Sequence, residues 1–126
     1  MLSAQNIHKS YNKLSVLNGI DMTIDAKEVV SIVGSSGAGK STLLQILGTL
    51  EKPDQGEVTF EGQRISSFSG KELARFRNEQ IGFVFQFHHL LPEFSALENV
   101  CIPAMLQGIS LQHRWNCLLY TSPSPR

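Results

Sequence analysis

Hydrophobic positions along this chain change their spacing several times, and each change marks an element. Leu2 to Tyr11 and Val16 to Ile24 read as two strands joined by a turn at Asn12-Lys13, the second alternating in part through Ile20, Met22 and Ile24. Val29-Val30-Ser31-Ile32-Val33 is short, β-branched and almost continuously apolar, the pattern of a parallel strand buried on both faces. The spacing then lengthens. Leu43, Ile46, Leu47 and Leu50 fall at i, i+3, i+4 and i+7, one face of a helix.

Lys52-Pro53-Asp54-Gln55-Gly56 is a turn signal, and Glu57-Val58-Thr59-Phe60-Glu61 alternates with period two, as a half-exposed antiparallel strand does. Gly62 ends that strand. Ser69 to Gln80 predicts a helix with Ser69 as N-cap, Leu73 and Phe76 turned inward, and Arg75, Arg77 and Glu79 in solvent. Ile81-Gly82-Phe83-Val84-Phe85 reads as another buried strand, followed directly by Gln86. Ser95 to Gly108 predicts a helix that Pro103 would kink or break, with Phe94, Leu97, Val100 and Met105 as an apolar stripe whose default is core packing. From about His113 no period remains and the chain closes on a Ser/Pro tract, so residues 113–126 are read as outside the fold of residues 1–112.

Composition narrows the functional classes. The 126 residues are 41% hydrophobic, enough for one packed core, and 11 basic residues balance 11 acidic ones. Zero net charge provides no field for nucleic acid or anionic lipid, so no nucleic-acid partner is expected. No run approaches a membrane span, the first ten residues lack a signal-peptide layout, and Cys101 and Cys117 are isolated, all of which suits a reducing cytosolic setting. Cys101 is most simply a small core residue. His88 and His89 are adjacent, so their side chains diverge, and no acid or thiol is grouped with them; they read as surface residues rather than metal ligands.

The chemistry concentrates between the apolar run at 29–33 and the helical run that follows. Gly34-Ser35-Ser36-Gly37-Ala38-Gly39-Lys40-Ser41 is a complete phosphate-binding loop of the Walker A pattern. Glycines allow its N–H groups to turn inward around phosphates, which bulkier residues would hinder. Lys40 can reach the β- and γ-phosphates as a point charge, the Ser41 hydroxyl can ligate Mg²⁺, and the helix contributes its positive end. The cofactors expected are therefore ATP and Mg²⁺. A Gly/Ser linker is the plain alternative, but linkers are not framed by a strand and an amphipathic helix.

Tyr11, this loop, and Gln86 after a further strand resemble, in that order, the ATP-binding subunits of ABC transporters. The segment Phe85-Gln86-Phe87-His88-His89-Leu90-Leu91-Pro92-Glu93-Phe94-Ser95-Ala96-Leu97-Glu98-Asn99-Val100 is similar to that of the lipoprotein-releasing (Lol-type) ATPases, relatives of the macrolide-export and cell-division ATPases. The resemblance covers about residues 1–110. It implies an α/β fold of the P-loop NTPase (ABC ATPase) type, N-terminal part only, with an antiparallel β subdomain. Nothing matches the Leu-Ser-Gly-Gly-Gln signature, the Walker B strand with its catalytic glutamate, or the switch histidine, so the chain reads as a fragment; residues 117–126 resemble translated adapter sequence.

By that resemblance Tyr11 stacks on adenine, Gly34, Ser35, Ser36, Gly37, Ala38, Gly39, Lys40, Ser41 and Thr42 bind the nucleotide, and Gln86 contacts Mg²⁺ and the attacking water. Tyr11 read without it is a strand aromatic packing on the small subdomain. The implied partners are a second ATP-binding subunit, integral membrane subunits and, through them, a lipoprotein substrate, at the cytoplasmic face of the bacterial inner membrane. The stripe after Gln86 would then meet a membrane subunit in part. The parent would be an ATPase, with turnover open for this fragment. A soluble P-loop ATPase of the same superfamily, acting in DNA repair or translation, is the competing class.

Overall fold

The computed structural model describes residues 1–87 and 89–109, and the chain falls into two compact units, Met1–Ile81 and residues 82 onward. In the first unit, β1 (Leu2–Tyr11) and β2 (Leu14–Ile24) form the expected hairpin, with Tyr11 opposite Leu14 and Leu2 opposite Ile24. Asn12 (φ 45°) and Lys13 (φ 69°) both take left-handed backbone, the turn whose twist matches that of the flanking strands. β3 (Gln55–Phe60) adds to the other edge of β1, also antiparallel, and β4 (Gln63–Arg64) pairs with β3, giving the order β2-β1-β3-β4.

The central strand is irregular at Asn6 (φ 51°), whose N–H donates to Asp21 Oδ1 at 2.7 Å. Gly56 lies against this irregularity with φ 92°, and a Cβ there would come within 2.2 Å of the Asn6 carbonyl oxygen. Only glycine fits. The register on either side places Val58 opposite Ala4.

α1 (Lys40–Leu47) covers the sheet with the face that the sequence predicts. Leu43, Ile46 and Leu47 bury against Ala4, Ile7, Leu17 and Val58 to form the core, with Val16, Ile20 and Ile32 packed around it. Leu50 departs from the expected stripe and is exposed, because the helix ends before it. Leu50 N–H bonds to the Gln45 carbonyl at 2.8 Å and Thr49 N–H to that of Ile46 at 3.0 Å, with Thr49 left-handed at φ 62°. This is a Schellman stop with threonine where glycine is usual.

A short 3₁₀ turn (Ile65–Ser67) leads to α2 (Gly70–Gln80). Ser69 caps it through a reciprocal box: Ser69 N–H donates to Glu72 at 2.7 Å and Glu72 N–H to Ser69 Oγ at 3.4 Å. Phe76 points inward as expected, its ring 5.1 Å from Phe60 and 5.5 Å from Phe68. Arg75 and Glu79 form the solvent-side pair, at 2.7 Å. Arg77 differs from expectation: it is half-buried and its Nη1 donates to the Thr49 carbonyl at 3.0 Å, so it ties α2 to the end of α1.

The apolar run 29–33 forms no ladder among the described residues. Ile32 packs on the core, but Val29 and Val33 are 97% and 85% exposed. The expected strand is therefore corrected to an open segment, since a strand needs at least one hydrogen-bonded neighbour and none of the described strands pairs with this run. Residues 81–85 likewise form no strand, and Val84 is fully exposed.

In the second unit, Phe83 and Phe85 stack at 5.5 Å, and Phe85 meets His89 edge-on at 4.8 Å. α3 (Ala96–Leu106) starts at a second capping box, Ser95 with Glu98, and passes through Pro103 without a break. Its stripe is not core. Phe94, Val100, Met105 and Leu106 are exposed and Leu97 is half-buried, while Cys101 is half-buried rather than buried. No helix among the described residues is long and apolar enough to cross a membrane. The boundary at 112/113 lies outside the described residues, as does His88.

Candidate functional site

The loop 34–41 joins the open segment at 29–33 to the first turn of α1. Gly39 is its pivot. With φ 87° it is the N-cap of α1, and a Cβ would sit 2.9 Å from both Leu17 Cδ2 and Val16 Cγ1 and 3.0 Å from the Val16 carbonyl. The loop is thereby pressed onto β2, which fixes where the helix starts. Gly37 is also left-handed, φ 76°, but faces open space.

Among the described residues no side chain caps α1, and no acid stands in its first turn. Its first N–H groups keep their capacity for an external anion, reinforced by the positive end of the helix. Lys40 Nζ donates to the carbonyls of Gly34 at 2.9 Å and Ser35 at 2.5 Å, so its charge is held against the loop. The Ala38 N–H closes the turn onto the Ser35 carbonyl at 3.2 Å. Ser35, Ser36, Ala38 and Ser41 are exposed and Thr42 is half-buried. These features fit a phosphate chain: N–H donors at the helix start, one cation held against the loop, a hydroxyl in the first helical turn, and glycines where side chains would obstruct.

Tyr11 closes β1 and retains 41% exposure. Beneath it lies a group that the sequence reading overlooked. Lys9 is only 8% exposed, and its Nζ bonds to Glu51 at 2.7 Å, the Lys52 carbonyl at 2.8 Å and Asp54 at 3.4 Å, while lying 5.4 Å from the Tyr11 ring centroid. Asp54 also accepts the Ser10 N–H at 2.8 Å. The bond to Glu51, and next the charge of Asp54, raise the Lys9 pKa above its ordinary value. The Ser10 N–H, and then Lys9, hold Asp54 below the usual carboxylate range. The signal available in the sequence was the i, i+2 spacing of Lys9 and Tyr11 on one strand face.

Gln86 is exposed, in the second unit, and follows open chain rather than a strand. Among the described residues no group of three or more histidine, cysteine or acidic side chains could hold a metal.

A fold of this kind, with this loop, defines a nucleotide-binding cassette, and the family profile described as ABC transporter matches residues 17–122. The chain belongs to the ABC transporter family. It is 59% identical over 110 residues to the lipoprotein-releasing system ATP-binding protein LolD of Bacteroides thetaiotaomicron, covering 87% of this chain and 50% of that protein. It is 53% identical over 116 residues to the LolD of Cytophaga hutchinsonii, covering 92% and 53%. The chain thus spans about half the length of the curated relatives it matches. In solved structures it superimposes on the ATP-binding cassette MJ0796 as a dimer in a post-hydrolysis state with ADP and Pi, with TM-score 0.83, 37% identity, and coverage of 90% of this chain and 52% of that one. The fold is that of an ABC ATPase cassette.

Proposed function

We propose that this chain is the nucleotide-binding portion of an ATP-binding subunit that powers lipoprotein release from the bacterial inner membrane. The observation that carries it is the loop: Gly39, with no room for a Cβ, delivers the uncapped start of α1 and the Lys40 ammonium to one concave stretch of backbone. Gly34 to Thr42 bind the phosphates, Tyr11 stacks on adenine, and the Ser41 hydroxyl at the start of α1 would ligate Mg²⁺. Bound Mg²⁺ neutralises charge on the β- and γ-phosphates. The lipoprotein assignment draws on the named relatives.

In the whole subunit two cassettes pair across two nucleotides at the cytoplasmic face and act on integral membrane subunits. This chain by itself binds ATP without appreciable turnover, since phosphoryl transfer needs further groups around the γ-phosphate.

Two measurements test the reading. Calorimetry should show ATP affinity falling at least about tenfold in Lys40→Ala, the loss of one charge-assisted contact; equal affinities would remove the phosphate site. A chimaera carrying residues 1–109 of this chain in the Bacteroides relative should support lipoprotein release by that protein's membrane subunits. A chimaera that binds ATP but releases nothing would overturn the transport assignment alone.

A further inference from the structure

Lys9 has no role in the nucleotide reading, yet it is a nearly buried cation placed against the residue proposed to hold the base. Three acceptors from one short turn, Glu51, the Lys52 carbonyl and Asp54, fix its ammonium, and that turn is also bonded to β1 through Asp54 N–H to the His8 carbonyl at 2.8 Å. The same ammonium lies over the Tyr11 ring, which remains 41% exposed. A cation held by protein acceptors on one side and an aromatic on the other fixes the ring's tilt and draws electron density toward it. The outer face of the ring is then both oriented and more attractive to the π-face of a purine.

We propose that Lys9 is a positioning residue for base recognition: it holds and polarises the Tyr11 ring so that the chain discriminates an adenine nucleotide from a bare phosphate chain. This rests on the nucleotide reading above. It also couples the two ends of the ligand. Glu51 and Asp54 belong to the turn that follows α1, so the helix whose start meets the phosphates is followed by the turn that sets the base platform.

The test is a double-mutant cycle on the chain itself, read by titration with Mg-ATP and, in parallel, with inorganic tripolyphosphate. Lys9→Met should weaken ATP binding by about two- to fivefold, on the scale of one cation–π contact, and leave tripolyphosphate binding unchanged. Its effect on ATP should vanish in a Tyr11→Leu background, and Lys9→Arg, which keeps a cation over the ring, should restore affinity to within about twofold. Because Lys9→Met strands Glu51, the double variant Lys9→Met, Glu51→Met is measured as well, removing both charges together. Equal losses for ATP and tripolyphosphate would make Lys9 merely structural and overturn the proposal. Tyr11→Leu weakening ATP while both Lys9→Met variants bind normally would overturn it too, with the nucleotide reading intact. Tyr11→Leu without effect would instead remove the platform on which it rests.

Discussion

Asn99 and Leu91 exchange two hydrogen bonds: Leu91 N–H donates to Asn99 Oδ1 at 2.8 Å, and Asn99 Nδ2 donates to the Leu91 carbonyl at 3.1 Å. The same amide nitrogen reaches the carbonyls of Phe94 at 3.1 Å and Ser95 at 3.0 Å. One side chain on α3 thus satisfies the backbone of the loop before it, as a neighbouring strand would. Leu91 and Phe94 project into solvent from a loop that is nonetheless held.

Asn99→Ala should therefore release the loop while α3 persists on its Ser95 and Glu98 box. Hydrogen exchange at the Leu91 amide should accelerate by roughly three- to tenfold, the loss of one net hydrogen bond. Asn99→Asp keeps the acceptor and should protect that amide better than alanine does. Unchanged exchange in both variants would show that the loop holds itself.

Two glycines of the phosphate loop should respond differently. Gly39→Ala puts a methyl into Val16 and Leu17 at a left-handed φ and should cost about 1–3 kcal/mol together with ATP binding. Gly37→Ala meets no atom within 4 Å, so only backbone strain of roughly 1–2 kcal/mol remains. Denaturant melts of the two variants check the order.

Acid should weaken the capping boxes. Backbone N–H groups of Ser69 and Ser95 hold Glu72 and Glu98 below the usual carboxylate range. A carboxylate so depressed contributes stability above about pH 4.5 that is lost as pH falls through its folded value. Glu72→Gln should flatten the acid limb of the stability curve, measured by circular dichroism from pH 7 to 3, and Lys71→Gln should not.

Thr49 offers a stabilising change. Its hydroxyl is buried without a hydrogen-bond partner among the described residues, beside a cavity of about 180 Å³ lined in part by Ile46, Phe68 and Leu73. Thr49→Val keeps shape and branching and removes only the stranded oxygen, so the melting midpoint should rise, by roughly 1 kcal/mol in stability. An unchanged midpoint would mean that water already serves the hydroxyl.

Local signals in the sequence carried the elements whose determinants are local. The Asn12-Lys13 turn, the Ser69 cap and the Leu43, Ile46 and Leu47 face all lie where their own residues dictate. Val29 to Val33 and Ile81 to Phe85 have the composition of buried strands, but a ladder is a property of partners, which a single segment cannot report. Arg77 and Lys9 were misjudged or missed for a related reason. A charged side chain is buried only by acceptors brought from elsewhere, here the Thr49 carbonyl and the 51–54 turn. The Walker A pattern was legible because its glycines, lysine and serine are contiguous; the fit of Gly39 onto β2 was not.

Gly56 has a consequence for how the sheet can fail. Its α-carbon lies so close to the Asn6 carbonyl that it works as an index mark between β3 and β1. A slip of one residue would invert the faces of β3, turning Val58 out to water and Glu57 toward the core. It would also draw Asp54 away from Ser10 and Lys9, next to Tyr11 on β1. A side chain at position 56 would thus erode the proposed base recognition at the other end of β1 by mispairing two strands, without touching any residue proposed to meet the nucleotide.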